Sequence, residues 1–483
     1  MELLTLLKAI DIGKVQENTD ITDIVYDSRK VIPGCVFVCL RGSAVDGHKF
    51  AQAACEQGAA AIICEEPVET NCQSYVVGNT KKALALLSAE FFGNPAENGL
   101  KIIGITGTKG KTTTAHMIRE ILECAGHKTG MIGTVGVVIG NETTKTLNTT
   151  PASYEVQKFF RKMLDEGCEY CVIEASSIGL KEYRVYGFTF DIGLFTNFSE
   201  DHIGGVEHSD MQDYLESKQM LFKMCKTGVV NIDDESCEEI IAGHTCDIRT
   251  YGFQENAEFR GGEYSLLSES GFLGLSLNIH GEIELAVKVG IPGKFNAYNA
   301  LSAVSCCALL EISGAAIEEG LRRAKVKGRV EPVPVCGGYT LLIDYAHNAV
   351  SMESLLITLR EYNPKRLVCL FGAGGNRPKV RRYEMGEMSG KLADLSVITA
   401  DNSRFENVLD ILADIKIGMH KTEGKYVEIP DRREAIRYCI ENAQLGDIIV
   451  LAGKGHEDYQ EIEGVQYHLD EREVVAEVLA SLR

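Results

Sequence analysis

The sequence predicts an α/β protein of three domains, with a mostly parallel sheet in the middle domain and a further parallel sheet in the last. Three observations carry this reading. Short apolar runs alternate with helical patterns along the chain, a glycine-rich turn at 107–110 joins one such run to one such helix, and four later runs each end in a polar or glycine-rich loop. A chain of 483 residues suffices for roughly two to four domains with cores of their own.

The elements follow in order. Runs at 36–40, 59–64 and 75–77 read as strands and 50–57 as a helix. Gly93-Asn94-Pro95 is turn chemistry, so the first domain is placed at 1–98. The run 101–106 predicts a strand, and the helix after it extends to about Cys124, with Met117, Ile118, Ile121 and Leu122 on one apolar face. Runs at 170–173, 192–196 and 228–232 complete a central domain at 99–329. From Tyr339 the pattern restarts, at 339–343, 366–371, 395–399 and 447–451, and defines a third domain at 330–483. Its runs end in DYAH, GAGGNR, ADNSR and AGKGHE. Ligands of open α/β sheets sit beyond the carboxyl ends of strands, which makes these four loops a candidate site.

With 49 Lys+Arg against 69 Asp+Glu the formal charge is −20, which argues against a nucleic-acid backbone or an anionic membrane surface as the main partner. Sixteen cysteines are too sparse in so long a chain for a secreted disulfide scaffold, so reduced thiols and a cytoplasmic setting are expected. The pair Cys168 and Cys171 stands alone, without a second pair or a nearby His, and is expected to be structural. The first residues are polar and amphipathic rather than signal-like, and the longest uncharged run, 295–310, is too short to span a bilayer.

Residues 104–112 read GITGTKGKT between a strand and a helix. Glycines let backbone N–H groups converge on phosphate, and a helix N-terminus adds positive potential. Lys111 would reach the β- and γ-phosphates of ATP while the Thr112 hydroxyl ligates Mg²⁺. The strict GxxxxGK(S/T) pattern breaks where Ile105 replaces its first glycine, so a chance glycine-rich turn stays open as the alternative. Glu174 follows the run 170–173, where an acid on a second strand would reach a Mg²⁺ held by the loop; the alternative is an ordinary end-of-strand acid. His202 and Lys218 taken singly say little, since a lone His is more often core or surface and a lone Lys solvated.

Taken in order, the motifs resemble the Mur ligase family, in the type that adds the third amino acid to the peptidoglycan precursor. The resemblance rests on Asp27-Ser28-Arg29, Pro33-Gly34, Asp46-Gly47-His48, TGTKGKTTT at 106–114, Thr149-Thr150-Pro151, the stretch from Phe195 to Asp201-His202, and GKFNAYN at 293–299. It continues through Gly328-Arg329-Val330-Glu331, DYAH at 344–347, Gly374-Gly375-Asn376-Arg377, Asp401-Asn402-Ser403-Arg404 and GKGHE at 453–457.

The resemblance implies a UDP-binding N-terminal domain, a P-loop ATPase-like centre and a Rossmann-like C-terminal domain that binds the amino acid. ATP would give its γ-phosphate to the D-glutamyl carboxylate of UDP-N-acetylmuramoyl-L-alanyl-D-glutamate, and the acyl phosphate would be attacked by an incoming amine. The loop Gly107, Thr108, Lys109, Gly110, Lys111, Thr112 and Thr113 would hold the phosphates. Thr112 and Glu174 would take one Mg²⁺, and His202 with a carbamylated Lys218 a second. Asn296, Arg329 and Asp344 match contacts to the ATP base and ribose, Ser28 a uridine contact, and Thr149, Thr150, Ser176 and Arg184 contacts to the muramoyl peptide. Arg377, Asn402, Arg404, Gly453 and Glu457 match the amino-acid pocket. Family members using meso-diaminopimelate commonly read DNPR, and lysine-adding members lack that Arg; this chain keeps Asn402 and Arg404 and so points to meso-diaminopimelate. An Arg fork opposite a carboxylate and a Glu opposite an ammonium suit such a ligand. The alternative for Arg404 is a loop salt bridge with Glu406. A monomer in the bacterial cytoplasm, with small-molecule partners only, is implied as well.

The chain departs from the family pattern at Ile178, where His is usual, and at Glu182, where Gln is usual. It departs again at Asn348-Ala349-Val350, in the stretch 203–208, and at Asn376 and Pro378, where acids are usual. An altered amine such as L-lysine, a folylpolyglutamate-type or D-Ala-D-Ala-adding ligase, and a non-catalytic binding protein therefore stay open as alternatives.

Overall fold

A computed structural model describes residues 1–42, 45–200, 203–204, 207–269 and 272–482. The chain divides into two compact units, Met1–Arg260 with Gly281–Ile283 and Leu301–Gly320, and Gly261–His280 with Glu284–Ala300 and Leu321–Arg483.

The first unit contains two sheets. A small one orders the strands Ile24–Val25, Val36–Val38, Ala61–Cys64 and Gln73–Val76, all parallel. The helix Thr80–Phe91, capped by Asn79 accepting from the Lys82 N–H, packs Ala83, Leu84 and Leu87 onto it. The larger sheet runs Asp247–Gly252, Cys225–Asn231, Phe190–Phe195, Lys101–Thr106, Tyr170–Glu174 and Thr129–Gly133 in parallel, then Gly136–Ile139 and Glu142–Thr144 antiparallel. The central strands carry side chains buried on both faces, which is why they read as continuous apolar runs. The helix Lys111–Cys124 buries Met117, Ile118, Ile121 and Leu122, the face expected from its spacing. The register sets Ile105 beside Glu174 and Thr106 beside Phe195, so the glycine-rich turn emerges between two strand ends.

The second unit contains a six-stranded sheet ordered Glu331–Val333, Thr340–Asp344, Asp447–Ala452, Arg366–Phe371, Leu395–Ile398 and Tyr426–Glu428, parallel except for its first strand. Helices cover both faces, with Leu355, Leu359 and Ile415 in one core and Ile436, Val474 and Val478 in the other. A hairpin, Tyr459–Ile462 with Val465–His468, follows the last parallel strand.

One expectation is overturned. Cys55 and Cys72 form a disulfide with Cα atoms 5.6 Å apart, so the thiols are not all reduced. The helix Ala51–Glu56 and the segment leading into Gln73–Val76 bring the two within bridging reach, which their spacing alone does not show. Cys168 and Cys171 are free thiols buried in the larger sheet's core. Among the described residues no helix is long and apolar enough to cross a membrane.

Candidate active site

In the first unit the strand Lys101–Thr106 delivers the chain to Gly107, whose φ is +144° and where a Cβ would lie 2.0 Å from Thr196 Oγ1. Only glycine fits there. Thr108 N–H donates to the Asn197 carbonyl at 2.8 Å and Lys109 N–H to Asn197 Oδ1 at 2.9 Å, so the neighbouring strand end shapes the loop. Gly110, at φ +88°, turns the chain into the helix that Lys111 opens, and Thr112 and Thr113 lie half-buried on its first turn. Lys111 Nζ donates to the Gly107 and Thr108 carbonyls at 2.7 and 3.0 Å, which holds a cation over the loop. A helix N-terminus with an adjacent ammonium is an anion site.

Glu174, buried to 1% exposure, closes the strand Tyr170–Glu174. Its carboxylate accepts from Thr112 Oγ1 at 2.9 Å, from Thr134 Oγ1 at 3.2 Å and from Thr134 N–H at 2.9 Å. Thr112 and Glu174 are thus together, and two hard oxygen donors on one edge of a phosphate loop fit Mg²⁺, which takes few protein ligands beside substrate phosphates. Among the described residues no three His, Cys, Asp or Glu side chains gather as a metal cluster.

Lys218 sits on the helix Met211–Gln219, buried, with Nζ 4.2 Å from the centre of the Tyr214 ring. The Tyr214 hydroxyl in turn donates to Thr108 Oγ1 at 3.2 Å and ties that helix to the glycine-rich loop. His202 lies outside the described residues. His208 Nε2 meets Ser177 Oγ at 2.8 Å and Nδ1 meets Asp213 Oδ2 at 3.3 Å, and burial lowers its pKa.

The four residues assigned to the muramoyl peptide converge. Thr150 Oγ1 lies 2.9 Å from Ser176 Oγ and donates to the Glu174 carbonyl at 2.7 Å; Arg184 donates to the Thr150 carbonyl at 3.0 Å, and Thr149 Oγ1 lies 3.2 Å from Thr134 Oγ1. Ser28 begins a short 3₁₀ turn capped by Asp27 in the small sheet's domain. The unusual Glu182 is ion-paired with Lys81 of the helix Thr80–Phe91, which neutralises the charge that the usual Gln would not carry.

In the second unit Arg377, Asn402, Arg404, Gly453 and Glu457 line one cavity of about 120 Å³ beyond the carboxyl ends of the strands, with Tyr345, His347 and Asp401. Arg404 stands at φ +51°; its Nε lies 3.3 Å from Glu461 Oε2 and it donates to the Gly375 carbonyl at 2.8 Å. The alternative pairing with Glu406 does not occur, because the buried Arg382 takes Glu406 at 2.7 Å and Asp414 at 2.9 Å. Asn376, where the family usually has an acid, occupies φ +53°, a conformation Asn tolerates, and its side chain accepts from Phe405 N–H at 3.2 Å. Asn348 caps the helix Ala349–Arg360.

The residues expected to contact the ATP base and ribose lie in the same unit. Asp344 accepts from Val330 N–H at 2.8 Å and Ala346 N–H at 2.7 Å, burial raises its pKa, and the Arg329 guanidinium lies 5.3 Å from the Tyr345 ring centre. Asn296 donates to the Pro292 carbonyl at 2.7 Å and accepts from Asn299 at 2.8 Å. Two polar groups of these sites have no mark of their role in the sequence: Thr134, which sits in no local pattern, and Lys454, one lysine in a glycine-rich strand-end loop.

The chain matches the Mur ligase family, catalytic domain, over residues 20–92, the Mur ligase middle domain over 105–307 and the Mur ligase, glutamate ligase domain over 328–455. It is 39% identical over 492 residues to the UDP-N-acetylmuramoyl-L-alanyl-D-glutamate–2,6-diaminopimelate ligase of Clostridium botulinum, covering 100% of both chains. It is also 39% identical over 502 residues to that of Bacillus licheniformis, covering 100% and 99%. A solved structure of a ligase of the same name, 28% identical, superposes with a TM-score of 0.77 over 100% of this chain and 99% of that one. A folylpolyglutamate synthase of Mycobacterium tuberculosis shares the fold, at 16% identity and a TM-score of 0.56 over 77% of this chain and 92% of that one.

Proposed function

The chain belongs to the Mur ligase family, and from that premise we propose that it is the ATP-dependent ligase joining meso-diaminopimelate to UDP-N-acetylmuramoyl-L-alanyl-D-glutamate in peptidoglycan synthesis. The observation that carries the choice of amino acid is the single cavity lined by Arg377, Arg404 and Glu457, which offers guanidinium forks to a distal carboxylate and a carboxylate to an ammonium. The shared names of full-length relatives support it.

In the reaction the D-glutamyl carboxylate attacks the γ-phosphorus, ADP leaves, and the acyl phosphate accepts the amine with loss of phosphate and a proton. The residues at 107–113 bind the phosphates, and Lys111 meets the charge that develops during transfer. Thr112 and Glu174 would hold one Mg²⁺, and His202 with carbamylated Lys218 a second; these ions supply charge neutralisation at the phosphates. Asn296, Arg329 and Asp344 serve the ATP base and ribose. Ser28 serves the uridine, and Thr149, Thr150, Ser176 and Arg184 orient the muramoyl peptide. The setting of this reading is the bacterial cytoplasm, with the enzyme acting as a monomer.

The test is phosphate release with Mg²⁺-ATP, the UDP-muramoyl dipeptide, and meso-diaminopimelate, L-lysine or L-ornithine. Diaminopimelate is expected to be preferred, and Arg404→Ala to raise its KM roughly 10- to 100-fold while barely changing that for L-lysine, as loss of a charged hydrogen-bond donor does. A preference for lysine overturns the role of Arg404, and no release with any amine overturns the ligase itself.

A further inference from the structure

Lys454 is the one lysine in the loop Gly453–Glu457, and its side chain is wholly shielded from solvent, with 0% exposure. Its Nζ donates to Asn402 Oδ1 at 2.9 Å and lies 3.2 Å from Glu457 Oε2 and 3.3 Å from Asp401 Oδ1. An ammonium has three donors, and here three acceptors meet them. With its hydrogens committed, Lys454 acts on a ligand through its neighbours.

Its effect on those neighbours is specific. Asn402 Oδ1 accepts from Lys454 and also from Glu461 N–H at 2.9 Å, which turns the amide so that Nδ2 donates to Glu457 Oε2 at 3.0 Å. One oxygen of Glu457 is therefore taken by Lys454 and Asn402 together. The other faces the Tyr345 hydroxyl at 3.5 Å, on the wall of the cavity. The buried Arg432 pairs with Glu471, donates to the Ala400 and Ala452 carbonyls, and also acts through its charge on Asp401 and Glu457. Arg404 is engaged by Glu461. Lys454 is thus the cation that directly joins Asp401, Asn402 and Glu457.

We propose that Lys454 is a specificity-determining positioning residue: by holding Asn402 and Glu457 in one geometry it sets the wall against which the cavity takes its amino acid. This rests on the ligase reading above.

The experiment uses the full chain with meso-diaminopimelate, UDP-muramoyl dipeptide and Mg²⁺-ATP, comparing wild type with Lys454→Met, Glu457→Gln and the double variant. Lys454→Met is expected to raise the KM for diaminopimelate about tenfold or more and to leave those for ATP and dipeptide within about twofold. In the Glu457→Gln background the same change is expected to matter at most about threefold, because its route of action is already cut. Equal rises in all three KM values, a fall in kcat alone, or strictly multiplicative effects in the double variant overturn the proposal. If Lys454→Met does not fold, Asn402→Ala removes one acceptor without stranding a buried charge, and the same selective KM rise is expected; its absence overturns the proposal too. A wild type inert with every diamine overturns the ligase reading and this role with it, whereas an active wild type with an unchanged Lys454→Met variant removes only the role.

Discussion

The Thr112 hydroxyl donates to Glu174 Oε2 at 2.9 Å across 62 positions of sequence. The two oxygens belong to different structural elements, the first turn of a helix and the end of a strand two positions along the sheet from Phe190–Phe195. Thr134 closes the arrangement, giving its N–H to Oε1 and its hydroxyl to Oε2. A carboxylate so supplied with donors is held in place beside the glycine-rich loop.

Replacing Glu174 by Gln keeps the shape and an acceptor for Thr134 N–H but removes the charge. Turnover is expected to fall roughly 100-fold or more, with Mg²⁺ needed at higher concentration and little change in melting temperature. Phosphate release titrated with Mg²⁺ measures this. Near-normal turnover at low Mg²⁺ would show that Glu174 is an ordinary strand-end acid.

The contact between Lys81 and Glu182 predicts a measurable but small coupling. Both side chains are partly exposed, at 29% and 34%, so solvent screens the pair and a double-mutant cycle is expected to give about 0.5 kcal/mol. Lys81→Met and Glu182→Gln, singly and together, supply the cycle in thermal unfolding. The coupling is expected to shrink at 1 M salt, where screening is short-ranged. A zero value at low salt would remove the compensation argued for Glu182.

His116 makes acid stability a further test. Burial, aided by the nearby Arg119 charge, lowers its pKa from 6.5 to about 4, and its shielded Nε2 has no hydrogen-bond partner among the described residues. The unfolded chain binds a proton near 6.5 while the folded chain refuses it until about 4. Its contribution is therefore complete above 6.5 and lost as pH falls towards 4, by about 3 kcal/mol at most. His116→Phe, which cannot titrate, is expected to show a shallower loss of unfolding free energy than the parent between pH 6.5 and 4.5. Parallel curves would contradict the assignment.

Much of the site was legible because its signals are local. The turn at 107–110 was readable from glycines between an apolar run and a periodic helix, and the strand Lys101–Thr106 and helix Lys111–Cys124 lie where the pattern placed them. The loops carrying Arg377, Arg404 and Glu457 were readable as the ends of apolar runs. Other features left no such trace. The strand Phe259–Glu269 mixes Arg, Gly, Glu and Ser with its apolar residues, so no run marks it. The disulfide between Cys55 and Cys72 depends on where two backbones pass, 17 positions apart.

By itself the sequence determined the pieces: which residues form strands and helices, where glycine must turn the chain, and which chemistries gather at strand ends. Backbone propensity, apolar periodicity and glycine's freedom act over a few residues and are written in residue order. Only the tertiary structure decided the pairings, since Thr134 meets Glu174, Lys81 meets Glu182 across 101 positions, Arg404 takes Glu461 instead of Glu406, and Lys454 reaches Asn402 across 52. A buried polar group takes whichever partner the packed chain brings within about 3 Å, and that choice has no period and no motif.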